Sequence, residues 1–294
     1  MAENENIELT PEIEEEIQEN PPKRKKKILG KVIYFTLMAA FVGVFVYCAI
    51  YITNYVVGSS ENNKNYTSLA ERVDALRDQN ANADTSGGEL PPGLVGGEDA
   101  DESYILPEYR DIFDQNNHLV GWIKFDDLEI DYPVMQSPEK EDFYINHDFY
   151  GEKKKWGSIY VREECDVFTP CDNVVIYGHH MRDGSMFAGL DAYKKKKYWK
   201  EHQYFTFDTL YEHHTYQIIA VFKTSANLGQ GFPYHIFNTA ESEAEFEEFM
   251  ATVHDLQMYD TGLTAEYGDM LVTLSTCEYT LNNGRFVVIA KRIS

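Results

Sequence analysis

Cys277, Arg285 and the adjacent pair His179 and His180 are the residues of this chain whose types and spacing could support acyl transfer. Cys277 closes the apolar run MLVTLSTC. Polarity begins there at Ser275 and Thr276, so the thiol stands near a strand end and within reach of solvent. A thiol attacks as its thiolate, and a nearby cation stabilises that form. After the connection EYTLNNG, Arg285 opens a second apolar run, RFVVIAKRI. The Asn-Gly signal predicts a hairpin, and antiparallel pairing would bring Arg285 beside Cys277. Arginine stays protonated, so it cannot serve as a base. Its fitting role is to hold a carbonyl and the oxyanion formed on attack. A proton carrier is available in NVVIYGHHM, where the histidines follow a strand that ends at Gly178. Neighbours on an extended chain point to opposite sides, so at most one histidine faces the site. The plainer alternative makes Cys277 a packed core cysteine and Arg285 a surface residue.

Paired histidines also suggest a metal, but no third ligand stands at a recognisable spacing. The expectation is no metal and no cofactor. His213 and His214, in LYEHHTY, read as solvated turn residues, and the lysine run at 194–197 reads as a solvated helix face or end. Cys165 and Cys171 lie close together in ECDVFTPC. An extracellular location would permit a disulfide, but free thiols are the expectation here.

These residues need a scaffold. From residue 104 onward, runs rich in Val, Ile, Tyr and Phe recur between turn signals: LVGWIKF, EIDYPVM, GSIYV, NVVIYG, QYFTFDTL, TYQIIAVFKT, DMLVTLSTC and RFVVIAKRI. Eight such runs predict a mostly β domain, a barrel or sandwich. PEYRDIFDQN predicts a short helix ahead of the first strand, with Pro at its start. TAESEAEFEEFMATVHDL predicts a longer helix, capped by Thr239 or Ser242, inserted before the strand of Cys277.

The chain of 294 residues carries 49 acidic and 26 basic side chains, a formal charge of −23. That surface repels phosphate backbones, so nucleic acid is not an expected partner. The charge is uneven: the first 22 residues contain no basic side chain, and KRKKK comes directly after them. Residues 32–57 are apolar apart from isolated Thr and Asn, long enough to cross a bilayer. Lysines and an arginine crowd the N-terminal side, which predicts a cytoplasmic N-terminus and an outside location for the residues beyond the apolar run. The organisation expected is a cytoplasmic tail over 1–27, one transmembrane helix over 28–57, a flexible extracellular stalk over 58–103 and a catalytic domain over 104–294. The stalk segment contains SGGELPPGLVGGEDADES and one candidate short amphipathic helix, YTSLAERVDALRDQN.

Three motifs in order, VIYGHHM, TLSTC and GRFVVIAKR, resemble the histidine, cysteine and arginine strands of the sortase family. GWIKFDDLEIDYPVMQ and GSIYV are similar to that family's earlier strands, so the resemblance spans residue 104 to the C-terminus. Within the family, the chain resembles class B. A helix precedes the barrel, a helix-bearing segment over 225–269 precedes the cysteine strand, and Ser275 stands two residues before the cysteine. The Asp-Pro-aromatic lid and second membrane helix of pilin-polymerising sortases are not found.

The resemblance implies an eight-stranded β-barrel and a transpeptidase. Carried over by motif, His179 matches the catalytic histidine, Cys277 the nucleophile and Arg285 the oxyanion-stabilising arginine. Tyr177, Ser275, Glu278 and, by a looser local match, Asn146 are implied as substrate-binding residues. The implied partners are surface proteins with a C-terminal sorting motif, and an amine of a peptidoglycan precursor (lipid II) or the cell wall. The implied reaction cleaves the motif after threonine through a Cys277 thioester. A cysteine endopeptidase that hydrolyses its thioester, or a pilin polymerase, is the alternative. A catalytically silent binding domain would leave the three motifs unrelated.

Overall fold

Each of the eight apolar runs becomes a strand: β1 (Leu119–Phe125), β2 (Ile130–Met135), β3 (Ile159–Val161), β4 (Asn173–Tyr177), β5 (Tyr204–Thr209), β6 (Thr215–Ser225), β7 (Leu271–Glu278) and β8 (Gly284–Arg292). In the computed structural model they close into a barrel in the order β1-β2-β3-β4-β7-β8-β6-β5, with β5 pairing back onto β1. The mostly β barrel expected from the sequence is therefore the fold. The β2–β3 and β4–β7 pairs are parallel, and the remaining neighbours are antiparallel. The structure describes residues 23–80, 101–168, 171–227 and 229–294. The acidic N-terminal stretch and residues 81–100 of the expected stalk lie outside the described residues.

Helix α1 (Lys23–Asn80) is 58 residues long. It contains the expected membrane segment, and it is the one helix among the described residues long and apolar enough to cross a bilayer. Its large apolar side chains, among them Phe41, Phe45 and Tyr47, are exposed. A helix apolar on all sides is stable only in an apolar surround.

Within the expected stalk, the candidate amphipathic helix over 66–80 is helical, and residues 58–65 join it in one continuous helix instead of a flexible segment. From residue 61 the helix is part of the barrel domain. Tyr66, Leu69, Ala70 and Val73 are buried, the spacing of one face of an amphipathic helix. Each of the larger aliphatic side chains contributes about 2 kcal/mol by leaving water. Polar contacts fix the register. The Tyr66 hydroxyl donates to the Gly157 carbonyl at 3.1 Å, Lys124 Nζ lies 2.8 Å from Asp74, and Arg77 Nη2 donates to Asp208 Oδ2 at 2.7 Å. Overall polarity suggested a stalk, but this one apolar stripe suffices to dock the segment.

Helix α2 (Pro107–Gln115) starts on its proline and buries Tyr109, Ile112 and Phe113. Helix α3 (Lys196–Glu201) is a short element ahead of β5. Helix α4 (Glu243–Leu256) is capped by Ser242, whose Oγ accepts from the Glu245 N–H at 3.3 Å. Its Phe246, Phe249, Met250 and Val253 enter a cluster with Ile219, Phe222, Val287 and Ile289 from β6 and β8. The four cysteines are free thiols; Cys165 is buried and Cys171 half-buried.

Of the two turn histidines expected to be solvated, His213 is exposed and His214 is not. His214 is buried. His213 is half exposed but bridges two buried carboxylates, Asp208 at 2.9 Å and Glu108 at 3.2 Å. Their hydrogen bonds, that to Asp208 first, raise its pKa from 6.5 to about 9. One partner, Asp208, lies five residues back on β5, whereas Glu108 comes from α2, distant in sequence, so local turn chemistry did not reveal it.

Candidate active site

Parallel pairing of β4 with β7 brings the site together. Parallel neighbours end at the same side of a sheet, and Tyr177 stands across from Ser275 in this pair. The Gly178 N–H donates to the Ser275 carbonyl at 3.1 Å. The chain leaves β4 there as Gly178-His179-His180, while β7 runs on to Cys277. A side chain at Gly178 would not fit, since a Cβ would come within 2.5 Å of Ile159 Cδ1 and 2.7 Å of the Phe187 ring.

The β7–β8 hairpin brings the third group. Cys277 and Arg285 are direct antiparallel partners. The turn holds Asn283 in the left-handed region at φ 49°, which asparagine tolerates. It also presses Gly284 against the Glu278 carbonyl, where a Cβ would sit 2.4 Å away. The Asn-Asn-Gly sequence therefore suits the turn that sets Arg285 beside Cys277.

A cleft of about 240 Å³ opens at this end of the barrel, lined by His179, Cys277, Arg285, Tyr177 and Ser275 among others. His179 Nε2 lies 2.6 Å from the Ile145 carbonyl. A carbonyl only accepts, so Nε2 carries a proton and Nδ1 is left for exchange. Arg285 Nη1 donates to the Gly284 carbonyl at 3.0 Å and to Asn283 Oδ1 at 3.3 Å, which braces the guanidinium against the turn. Ser275 is buried, and its Oγ lies 2.6 Å from the Tyr234 hydroxyl. Burial raises the pKa of Tyr177 and of Tyr234, keeping both phenols neutral.

Three residues named from the sequence lie apart from the cleft lining. His180 turns to Asp191, with Nε2 3.1 Å from Oδ2. Glu278 is buried; its carboxylate meets Lys223 Nζ at 2.8 Å and accepts from the Thr280 N–H and hydroxyl at 2.8 and 2.7 Å. Burial opposes its ionisation, but these hydrogen bonds outweigh burial and hold the carboxyl at about 2. Asn146 is exposed at the end of the short 3-10 turn Phe143–Ile145, next to the residue that meets His179.

The opposite walls were not read from the sequence. Asp142, Tyr160 and Arg162 line one, and Tyr234 and His235 the other. Tyr160 donates to Asp142 Oδ1 at 2.9 Å, and its ring stacks on Tyr177 at 5.5 Å. Burial, then Arg162 and Arg285, push the His235 pKa down, favouring neutral imidazole. The aromatic run FPYHIF between β6 and α4 was the available signal for the second wall.

Comparison with known proteins gives the same picture. The sortase-domain family model matches residues 123–293. Sortase B of Listeria monocytogenes is 32% identical over 192 residues, 65% of this chain and 76% of that protein. The structure of Bacillus anthracis sortase B in complex with AAEK1 is similar, with a TM-score of 0.64 and 27% identity, covering 81% of this chain and 99% of the other. The Staphylococcus aureus sortase B–substrate complex shares the fold at a TM-score of 0.67 and 24% identity, over 81% of this chain and 99% of that one. The family match spans every strand from β2 to β8, and it encloses the hairpin that pairs a cysteine with an arginine: this chain belongs to the sortase family of cysteine transpeptidases, and it is similar to its sortase B members.

Proposed function

We propose that this protein is a membrane-anchored class B sortase that cleaves a C-terminal sorting signal after threonine and transfers the new carboxyl end to an amine of a peptidoglycan precursor or the cell wall. The observation that carries the reading is the cross-strand pairing of Cys277 with Arg285, with His179 lining the same cleft. The Cys277 thiolate attacks the threonine carbonyl carbon, and the carbonyl pair moves onto oxygen, where Arg285 donates to it. As the tetrahedral adduct collapses, the C–N bond breaks and His179 as imidazolium protonates the leaving amine. A thioester remains. An incoming amine attacks it, His179 accepts a proton from that amine, and the Cys277 thiolate departs as the new amide forms. Tyr177 and Ser275 line the cleft beside these groups and are read as substrate-binding residues. Glu278 and Asn146 are read with them from the family pattern, though their side chains lie outside the cleft lining. Helix α1 is read as the anchor, with its N-terminal end in the cytoplasm and the barrel outside. Such an anchor would tether the enzyme to the membrane that carries a lipid-linked precursor.

The test is a set of fluorogenic peptides with a Pro-x-Thr core, incubated with the full chain in detergent micelles, with and without an added amine. Cleavage and an amine-dependent amide product are expected, and Cys277→Ala abolishes both while the protein stays folded. Cleavage that survives in a folded Cys277→Ala variant would sink the reading. Cleavage that yields only free acid in the presence of amine would favour the endopeptidase alternative.

A further inference from the structure

The lysine run at 194–197 does not behave as a uniform solvated face. The ammonium of Lys194 sits among groups that belong to all three elements of the site. Its Nζ lies 2.7 Å from Asp191 Oδ1, and Asp191 Oδ2 in turn meets His180 Nε2 at 3.1 Å. The same Nζ lies 3.8 Å from Glu278 Oε1 and 5.2 Å from the centre of the Phe286 ring, over its face. His180, Glu278 and Phe286 are the chain neighbours of His179, Cys277 and Arg285 respectively. Strand neighbours project to opposite faces, so Lys194 grips β7 and β8 from the side away from Cys277 and Arg285. Glu278 and Phe286 are buried, and the Lys194 side chain is only 27% exposed. A second tie joins the same loops: the Tyr279 hydroxyl donates to the His180 carbonyl at 3.1 Å.

We propose that Lys194, held by Asp191, is a positioning residue of the active site, a single cation that fixes the three catalytic elements against one another from behind. The inference rests on the reading of Cys277, His179 and Arg285 as the reacting groups. Lys194 reaches none of them directly. It acts through the neighbour of each, and the tolerance it serves is narrow, because reacting groups misplaced by about 1 Å lose on the order of a hundredfold in rate. Lysine suits the place. A compact ammonium on a flexible stem can meet a carboxylate, a second carboxylate and a ring face together.

The experiment compares Lys194→Met, Lys194→Arg and Asp191→Asn with the unaltered full chain in detergent micelles. Cleavage of the best Pro-x-Thr peptide is measured per Cys277 thiol titrated, so that any unfolded fraction is not counted. Methionine keeps the stem packed on Phe286 and removes only the charge. The expected result is a fall in kcat of between about tenfold and a hundredfold for Lys194→Met, with KM within about twofold. Asp191→Asn is expected to move kcat in the same direction, and Lys194→Arg to restore most of it. Asp191→Asn alone decides the matter if Lys194→Met does not fold. Unchanged kcat per thiol, or a loss confined to KM, overturns the positioning role. Cys277→Ala runs beside them. If it is inactive while the Lys194 and Asp191 variants turn over normally, only this inference fails. If it still cleaves, the reading of the site fails and this inference with it.

Discussion

The Ser275 and Tyr234 hydroxyls lie 2.6 Å apart, both buried, and tie β7 two residues before Cys277 to the aromatic turn that carries Tyr234. Removing one partner strands the other in a buried site, at about 1–3 kcal/mol. Ser275→Ala and Tyr234→Phe are each expected to destabilise by that amount in urea unfolding. The double variant should lose less than the sum, because it leaves no orphan. Strict additivity would show that the two hydroxyls are not coupled.

His179 and His180 are expected to separate sharply. His179 lines the cleft, whereas His180 turns to Asp191. Replacing His179 by alanine should reduce kcat between about 10²- and 10⁴-fold, the usual worth of a general acid-base group. His180→Ala removes a support rather than a proton carrier and should cost no more than about tenfold, by the same scale for misplaced groups. Equal losses would overturn the assignment.

Arg285→Lys keeps the charge and loses the planar fork. The turn carbonyl and Asn283 already occupy Nη1, so the remaining donors are the ones available to substrate. If their oriented hydrogen bonds carry the effect, turnover should fall by about 3 kcal/mol or more in barrier height, as for other oxyanion donors. The rate of Cys277 alkylation across pH should change little in the same variant. Near-normal turnover with lysine would mean that charge alone suffices.

His213 supplies a pH dependence of stability. Hydrogen bonds donated to Asp208 and Glu108 hold its pKa near 9 instead of 6.5. A raised histidine pKa gives stability that is full below 6.5 and lost as pH rises through 9. The two carboxylates are depressed, so their own contribution is lost at the acidic end. Arg77 and Tyr109 complete the cluster. The thermal midpoint of the intact chain should therefore fall more steeply between pH 6.5 and 9 than that of His213→Ala. Parallel profiles for the two proteins would remove His213 from the account.

The strands were legible because their signal is local. Alternation and β-branched runs bounded by turn residues located all eight, and the Asn-Asn-Gly turn placed Arg285 beside Cys277. Groups whose surroundings come from distant segments were not legible. Nothing near LYEHHTY marks Glu108 as a partner of His213, and nothing in KKKK separates Lys194 from its neighbours. Tyr234 and Arg162 reach the cleft from loops whose path is set by the barrel, so their types alone did not mark them. The docking of α1 was hidden differently: the amphipathic helix over 66–80 was legible, but its partner surface on the barrel comes from distant segments.

The placement of β8 between β6 and β7 fixes when the enzyme can come into existence. Its β7 neighbour must also reach back to β4, and Thr273 donates to Asn173 across 100 residues of chain. Contacts of that sequence separation form late and slowly. Until β8 is inserted, β6 and β7 each present an unpaired edge, which invites association with other chains. Cys277 and His179 therefore meet only near the end of folding. The cleft that both residues line is complete only once β8 has paired with β6 and β7.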